Sequence, residues 1–279
     1  MTHNIRKSVI AGSWYPGNPG ILRTDIENFF QNVRARKVDG QIIGLIAPHA
    51  GYVYSGQIAA YSYNSIRGVK KYDAVIVIGP SHRTHFQGVS IYDRGGYETP
   101  LGVVPVDVSL AKRIAAHSEI VSYIPEAHQH EHSIEIQLPF LQVALGEFSF
   151  VPLVMGDQNR HTCEALAEAI GAAVGNQNVL VVGSSDLSHF HSYDKATKLD
   201  HAALSRIAQM DGAGLLRDLE NDSCEACGGG PMVTTMMASR ILGAENAALL
   251  KYGNSGDVTG DKKSVVGYAS AIFYTRLRI

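Results

Sequence analysis

GQIIGLIAPHAGYVYSG, residues 40–56, carries an unbroken apolar run and then turns through a proline, a histidine and a glycine before helical spacing over 57–66. A strand that is apolar at every position has to be covered on both faces, the condition inside a parallel or mixed sheet clothed by helices. The pattern returns at 74–78, which leads into GPSHRTHF, and at 149–155, which leads into Gly156-Asp157. It returns once more at 178–182, which leads into GSSDLSHFH and a helical stretch over 193–210. Leu22, Ile26, Phe29 and Val33 recur at helical spacing behind Pro19-Gly20, and 133–145, 164–174 and 232–242 also read as helices. A closing strand is expected over 264–274, after the solvated loop GNSGDVTGDKK, and 87–106, rich in Tyr, Gly and Pro, reads as a hairpin beside the sheet. The fold class is α/β, with a central, mostly parallel or mixed sheet flanked by helices. No internal repeat and no long linker interrupts the pattern, so 1–279 reads as a single domain.

With 279 residues, the chain is long enough to bury roughly 70 to 75% of its extended surface. Hydrophobic residues at 45% and charged residues at 18% argue for a packed core over disorder. The 24 Lys and Arg against 26 Asp and Glu leave a net charge of -2, too little to draw a polyanion, so nucleic acid is not an expected partner. The start MTHNIRKSVIAGSWYPG lacks a continuous apolar h-region, and no later run approaches the roughly 20 apolar residues that cross a bilayer. No membrane partner is expected, and the expected location is cytoplasmic. Three cysteines make no disulfide framework and suit a reducing compartment.

The polar residues collect at equivalent points. His49, His82 with His85, Asp157, and Asp186 with His189 all follow an expected strand within a few residues. Strand ends of a parallel sheet share one rim, where ligands bind. Any one of these histidines alone reads as a surface or capping residue; their recurrence at the same point of successive units is what suggests a site. His49 behind Pro48 and His82 in Gly-Pro-Ser-His sit on rigid loops, and two such imidazoles can meet around iron(II), zinc or copper.

The third ligand has three candidates. Cys227 precedes three glycines and a helix whose amino terminus would lower the thiol pKa, and Asp186 and Asp157 are its rivals. Cys224 and Cys227 form a CxxC, for which a redox pair and an inert thiol are both open, whereas Cys163 belongs to an apolar helix. His189 stands three residues after Asp186, close enough for the carboxylate to orient an imidazole that moves protons, although Asp186 could equally cap the loop. No GxSxG surrounds Ser185 or Ser188, so a serine-hydrolase triad is not expected. In HQHEHSIEIQLPF, His132 lies at a helix mouth facing the crevice, while His128 and His130 are expected to face water. Trp14, Tyr15, Tyr52 and Tyr54 could wall a planar ligand.

AGSWYP at 11–16, APHAGYVYSG at 47–56, GPSH at 79–82, EHSIEIQLPF at 131–140, SSDLSH at 184–189 and Cys227-Gly228 together resemble the Memo family, named from a mediator of cell motility. The resemblance implies a fold similar to class III extradiol dioxygenases, in which two histidines and a carboxylate hold iron. Carried onto this chain, it implies metal ligands His49, His82 and Cys227, with Asp186, His189 and His132 beside them. A thiolate then stands where the dioxygenases use glutamate, and its softness suits iron or copper, with zinc also accommodated. The implied functions are a metal-dependent redox enzyme acting on a small phenolic substrate, a non-catalytic metal-binding protein, or a module that binds a peptide. In microbes, a functional link to a radical-SAM protein is also implied.

Overall fold

The structure is a computed structural model that describes residues 4–34, 38–69 and 71–276, so residues 1–3 of the amino-terminal stretch discussed above lie outside the described residues. A short strand, β1 (Ile5–Arg6), precedes helix α1 (Pro19–Gln31), which Asn18 caps by accepting from the Gly20 and Ile21 amides. Strand β2 (Ile42–Ala47) leads into α2 (Tyr52–Asn64), and β3 (Ala74–Pro80) is followed by β4 (Val89–Ile91), β5 (Gly96–Thr99) and β6 (Gly102–Pro105). Next come α3 (Val108–Ala116), β7 (Val121–Ser122), α4 (Pro125–Gln129), a 3-10 turn over Glu135–Gln137 and α5 (Leu138–Leu145). The second half carries β8 (Phe150–Met155), α6 (Arg160–Val174), β9 (Val179–Ser184), β10 (His189–His191), α7 (Tyr193–Ala208) and α8 (Gly212–Glu220). It ends with α9 (Gly229–Ile241), β11 (Asn246–Asn254), α10 (Ser255–Thr259) and β12 (Val265–Tyr274).

The main sheet has the order β10-β12-β2-β9-β3-β8-β4-β7, with β11 on the other edge of β12. Its centre, β2, β9, β3 and β8, is parallel, with Ala47 beside Ser184 and Ile78 beside both Gly183 and Leu153. Every residue of these central strands is buried, which is why they read as continuous apolar runs. The β2–β12, β11–β12 and β4–β8 pairs are antiparallel, so the sheet is mixed, and the fold is the expected α/β class. Helix α9 covers one face: a Cβ at Gly44 would collide with Ser239 of that helix. Gly79 points to the opposite face, where a Cβ would collide with Ser133 in the segment leading to α5.

Three expectations need adjustment. The helix expected from 133 begins as a 3-10 turn and becomes α5 only at Leu138, with Pro139 in the first turn where its missing N–H costs nothing. Segment 87–106 divides: β4 joins the main sheet, and only β5 and β6 form the hairpin, which β1 extends into a separate three-stranded sheet. Strand β11 was not anticipated, because it is only partly buried and its apolar residues show no clean alternation, and the loop expected over 253–263 begins in that strand and contains the capped helix α10. No helix among the described residues is long and apolar enough to cross a membrane.

Candidate metal centre

Because the central strands are parallel, their carboxyl ends deliver His49 from β2, His82 from β3 and Asp186 from β9 to one rim. Cys227, just before α9, reaches the same place. Its Sγ lies 3.0 Å from His49 Nε2, and the His49 and His82 rings stand 5.1 Å apart and nearly perpendicular, at 89°. One potential ligand atom from each of His49, His82 and Cys227 lies within 4.8 Å of the other two. Nitrogen and sulfur donors held tetrahedrally at ordinary metal distances sit about 3.6 Å apart, so small side-chain shifts, outward for the 3.0 Å His49–Cys227 pair, would set the three around one ion.

Hydrogen bonding fixes which ring nitrogens are free. Ser184 Oγ donates its single proton to the Ser133 carbonyl, at 2.6 Å, and accepts from Gln137 Nε2, at 2.7 Å. Its 3.0 Å contact with His49 Nδ1 therefore requires that nitrogen to carry the proton, leaving a lone pair on His49 Nε2. Gln137 is held in turn: it donates to the Pro48 carbonyl and accepts from Tyr63 Oη. His82 is oriented by a carboxylate. Its Nδ1 lies 2.9 Å from Glu131 Oε1 and its amide donates to Glu131 Oε2 at 2.6 Å, so His82 Nε2 is also left free.

Glu131, His82 and His132 also come within ligand distance of one another. Glu131 Oε1 already accepts from the His132 and Ser133 amides as well as from His82, so the carboxylate is occupied in orienting histidines. Burial works against its charge, but the hydrogen bonds from the His82 ring and amide prevail and bring its pKa down to about 2.

Burial and the neighbouring His82 push the His49 pKa down to about 3, and burial with His49 does the same to His132, so both are neutral donors at physiological pH. For Cys227 the expected effect of the helix terminus does not prevail. Burial first, and then the charge of Asp186, raise the thiol well above its ordinary range. The thiol therefore keeps its proton until a cation displaces it. Asp186, itself pushed up to about 6 by burial, accepts from the His49 amide at 2.7 Å and fixes the loop that carries that histidine.

A profile of the Memo-like protein family matches residues 6–272. A MEMO1 family protein of Methanothermobacter thermautotrophicus is 38% identical over 273 residues, covering 95% of this chain and 99% of its own. One from Thermoplasma volcanium is 38% identical over 269 residues, covering 96% and 98%. The chain belongs to the Memo family. A crystal structure of an uncharacterized protein from Escherichia coli K12 shares the fold, with a TM-score of 0.56 at 14% identity, over 83% of this chain and 100% of that one.

In this Memo-family chain, His49, His82, His132, Asp186 and His189 all line one cleft of about 760 Å³, with Trp14 and Tyr54 on its wall. His132 is mostly buried between Trp14, at 4.4 Å, and the His82 ring, stacked at 4.5 Å. Trp14 is held there by an amino-terminal strap. Arg6 pairs with the fully buried Glu135 at 2.5 Å, and Glu135 also accepts from Ser8, the Val9 and Ile10 amides and Tyr15 Oη.

Other candidates lie elsewhere. Asp157 accepts from Gly88, Asn159 and Thr162, so it braces loops and does not enter the cleft. His85 is exposed. Cys163 and Cys224 are buried, and burial raises the Cys224 thiol to about 12. Tyr15 and Tyr52 belong to the core and do not line the cleft. His128 does not face water: it is 1% exposed, between Ser90 Oγ at 2.9 Å and Tyr97 Oη at 2.7 Å. His130 is exposed as expected. The sequence reading missed Ser184, Gln137 and the orienting role of Glu131. All three lie within the family motifs, Glu131 and Gln137 in EHSIEIQLPF and Ser184 at the start of SSDLSH, but nothing in those motifs marks their orienting roles.

Proposed function

We propose that this cleft is a metal-dependent active site in which His49, His82 and Cys227 hold one iron or copper ion and His189 moves a proton to or from a small substrate such as a phenol. The observation that carries the proposal is that two imidazoles whose Nδ1 atoms are engaged by Ser184 and Glu131 converge with a thiol beside an open cleft. A redox metal at that point would supply electron transfer to or from the substrate. The protein's own contributions are distinct: Ser184 and Glu131 fix the ligand tautomers, Asp186 holds the His49 backbone, and Trp14 and His132 close one wall. His189, on the same cleft, is placed to take a hydroxyl proton from the substrate.

Zinc fits the same donors but would leave the site redox-silent. The proposal takes residues 1–279 as one domain in a reducing, cytoplasmic compartment, a setting that three free thiols suit, with a radical-SAM protein as the partner that the family resemblance implies. The test is anaerobic reconstitution with iron(II) or copper(I), followed by oxygen uptake with a panel of small phenols. Turnover that requires both the metal and His189 supports the proposal. Tight metal binding without turnover on any of the panel would instead favour a metal-holding role, and failure to bind either metal would refute both.

A further inference from the structure

Among the described residues, the most exposed aromatic side chain at the cleft is Phe190, 74% accessible, and its backbone is one that a bulky residue rarely adopts, with φ at 60°. It occupies an irregularity in β10. His189 pairs with Val266 and His191 with the adjacent Val265, so Phe190 is the extra residue of a bulge that aims its ring outward. One flank is tied down by its side chain, His191 Nε2 lying 2.8 Å from Glu225 Oε1 on the loop that carries Cys227, and on the other the ring of His189 meets Phe190 edge-on at 5.7 Å. A water-exposed aromatic held in a strained turn contributes little to the core, so the geometry has to be explained by the cleft that it borders.

The charge of that cleft is equally informative. Trp14, Val53, Tyr54, Phe190 and Tyr268 supply its apolar wall, Asp186 and Asp261 its carboxylates, and no Lys or Arg lines it among the described residues. Arg83 lies beside His82 in the chain, and Lys262 and Lys263 follow Asp261, but none of them lines the cleft; the Lys262 ammonium sits over the Tyr193 ring at 4.7 Å. Away from the metal ligands, the tail of an anionic substrate would therefore meet carboxylates and aromatic faces with no lysine or arginine to receive its charge.

We propose that Phe190 is a specificity-determining wall of the cleft and that the cleft selects a flat, apolar ring whose tail, on the side away from the metal ligands, carries no negative charge and is either neutral or an ammonium. This deepens the proposed function and rests on it only in taking the cleft as the substrate's place. The test uses three phenols of similar shape, 4-ethylphenol, tyramine and 4-hydroxyphenylacetate. Binding is followed by calorimetry and by the fluorescence of Trp14, the single tryptophan, on metal-free and on zinc-loaded protein. On the metal-free protein, where no zinc can take the carboxylate, it should bind at least about tenfold more weakly than the other two, the cost of an uncompensated charge.

Phe190→Gly should weaken 4-ethylphenol about fivefold through loss of the ring. It should leave zinc affinity unchanged and melt no lower than wild type, because glycine accepts the positive φ. Asp261→Asn should reduce any preference for tyramine over 4-ethylphenol. The inference is overturned if the carboxylate binds metal-free protein as tightly as 4-ethylphenol does, or if Phe190→Gly binds 4-ethylphenol like wild type. Zinc stoichiometry on the same samples separates the two proposals: ring selectivity without metal binding would sink the metal-dependent function and leave this inference standing.

Discussion

Ser184→Ala is the perturbation that most sharply tests how the site is held. Ser184 is fully buried, and its hydroxyl simultaneously donates to the Ser133 carbonyl and accepts from Gln137 Nε2 and His49 Nδ1. Alanine strands three polar groups, each costing about 1–3 kcal/mol when left unpaired, and partial relaxation should reduce the total to about 2–4 kcal/mol of stability. The consequence for the metal is separate. Without its acceptor, the Nδ1 proton can move to Nε2, the nitrogen that lies 3.0 Å from Cys227 Sγ, and the lone pair needed for coordination is lost.

Loss of such an orienting partner weakens metal binding about 10- to 100-fold. The assay is competition for zinc against a chromophoric chelator, alongside thermal melting. Ser62→Ala is the control: Ser62 is equally buried and donates to the Ile46 carbonyl at 2.6 Å, but it touches none of the ligands. It should lose stability and keep its zinc affinity. Equal zinc affinity for wild type and Ser184→Ala, or an equal loss in Ser62→Ala, would refute the tautomer argument.

Cys227→Ser should weaken zinc or copper binding by at least about tenfold with little change in apo stability, whereas Cys224→Ser should leave affinity unchanged. Because the Cys227 thiol is raised and binds as thiolate, each binding event releases a proton, so the logarithm of affinity should climb by about one per pH unit between about pH 7 and 9, and Cys227→Ser should flatten that slope. His189→Gln should hold metal affinity within about tenfold while abolishing turnover; loss of the metal with the fold intact would make His189 a ligand. His128, buried neutral with its pKa depressed from 6.5 to about 3 by burial and then Arg6, contributes stability that is complete above its unfolded value and is lost as pH falls through this window. His128→Gln should therefore be less stable near neutrality yet decline less steeply between pH 6.5 and about 3 by urea unfolding, and a parallel decline would contradict this.

The central strands were legible because burial on both faces writes itself into the chain as runs such as residues 42–47. The rim was legible because parallel strands end together, so that His49, His82 and Asp186 fall at equivalent positions. What could not be read was register. The pairing of Ala47 with Ser184 brings a serine 135 positions away against His49, and nothing local to either residue specifies it. His128 illustrates the same limit. Alternating histidines beside glutamate look like a wet surface, but Ser90 and Tyr97, brought from other strands, supply partners that make burial affordable. The Cys227 thiol lies with His49 and His82 at the rim, but the direction of its shift depends on burial that the glycine-rich approach does not reveal.

The direct test of the metal centre is X-ray absorption at the zinc edge of protein loaded with one equivalent of zinc(II). The account predicts one sulfur at about 2.3 Å together with a shell of nitrogen donors at about 2.0–2.1 Å, the sulfur vanishing in Cys227→Ser. A purely nitrogen and oxygen shell in the wild type, or a sulfur that survives in Cys227→Ser, would contradict it.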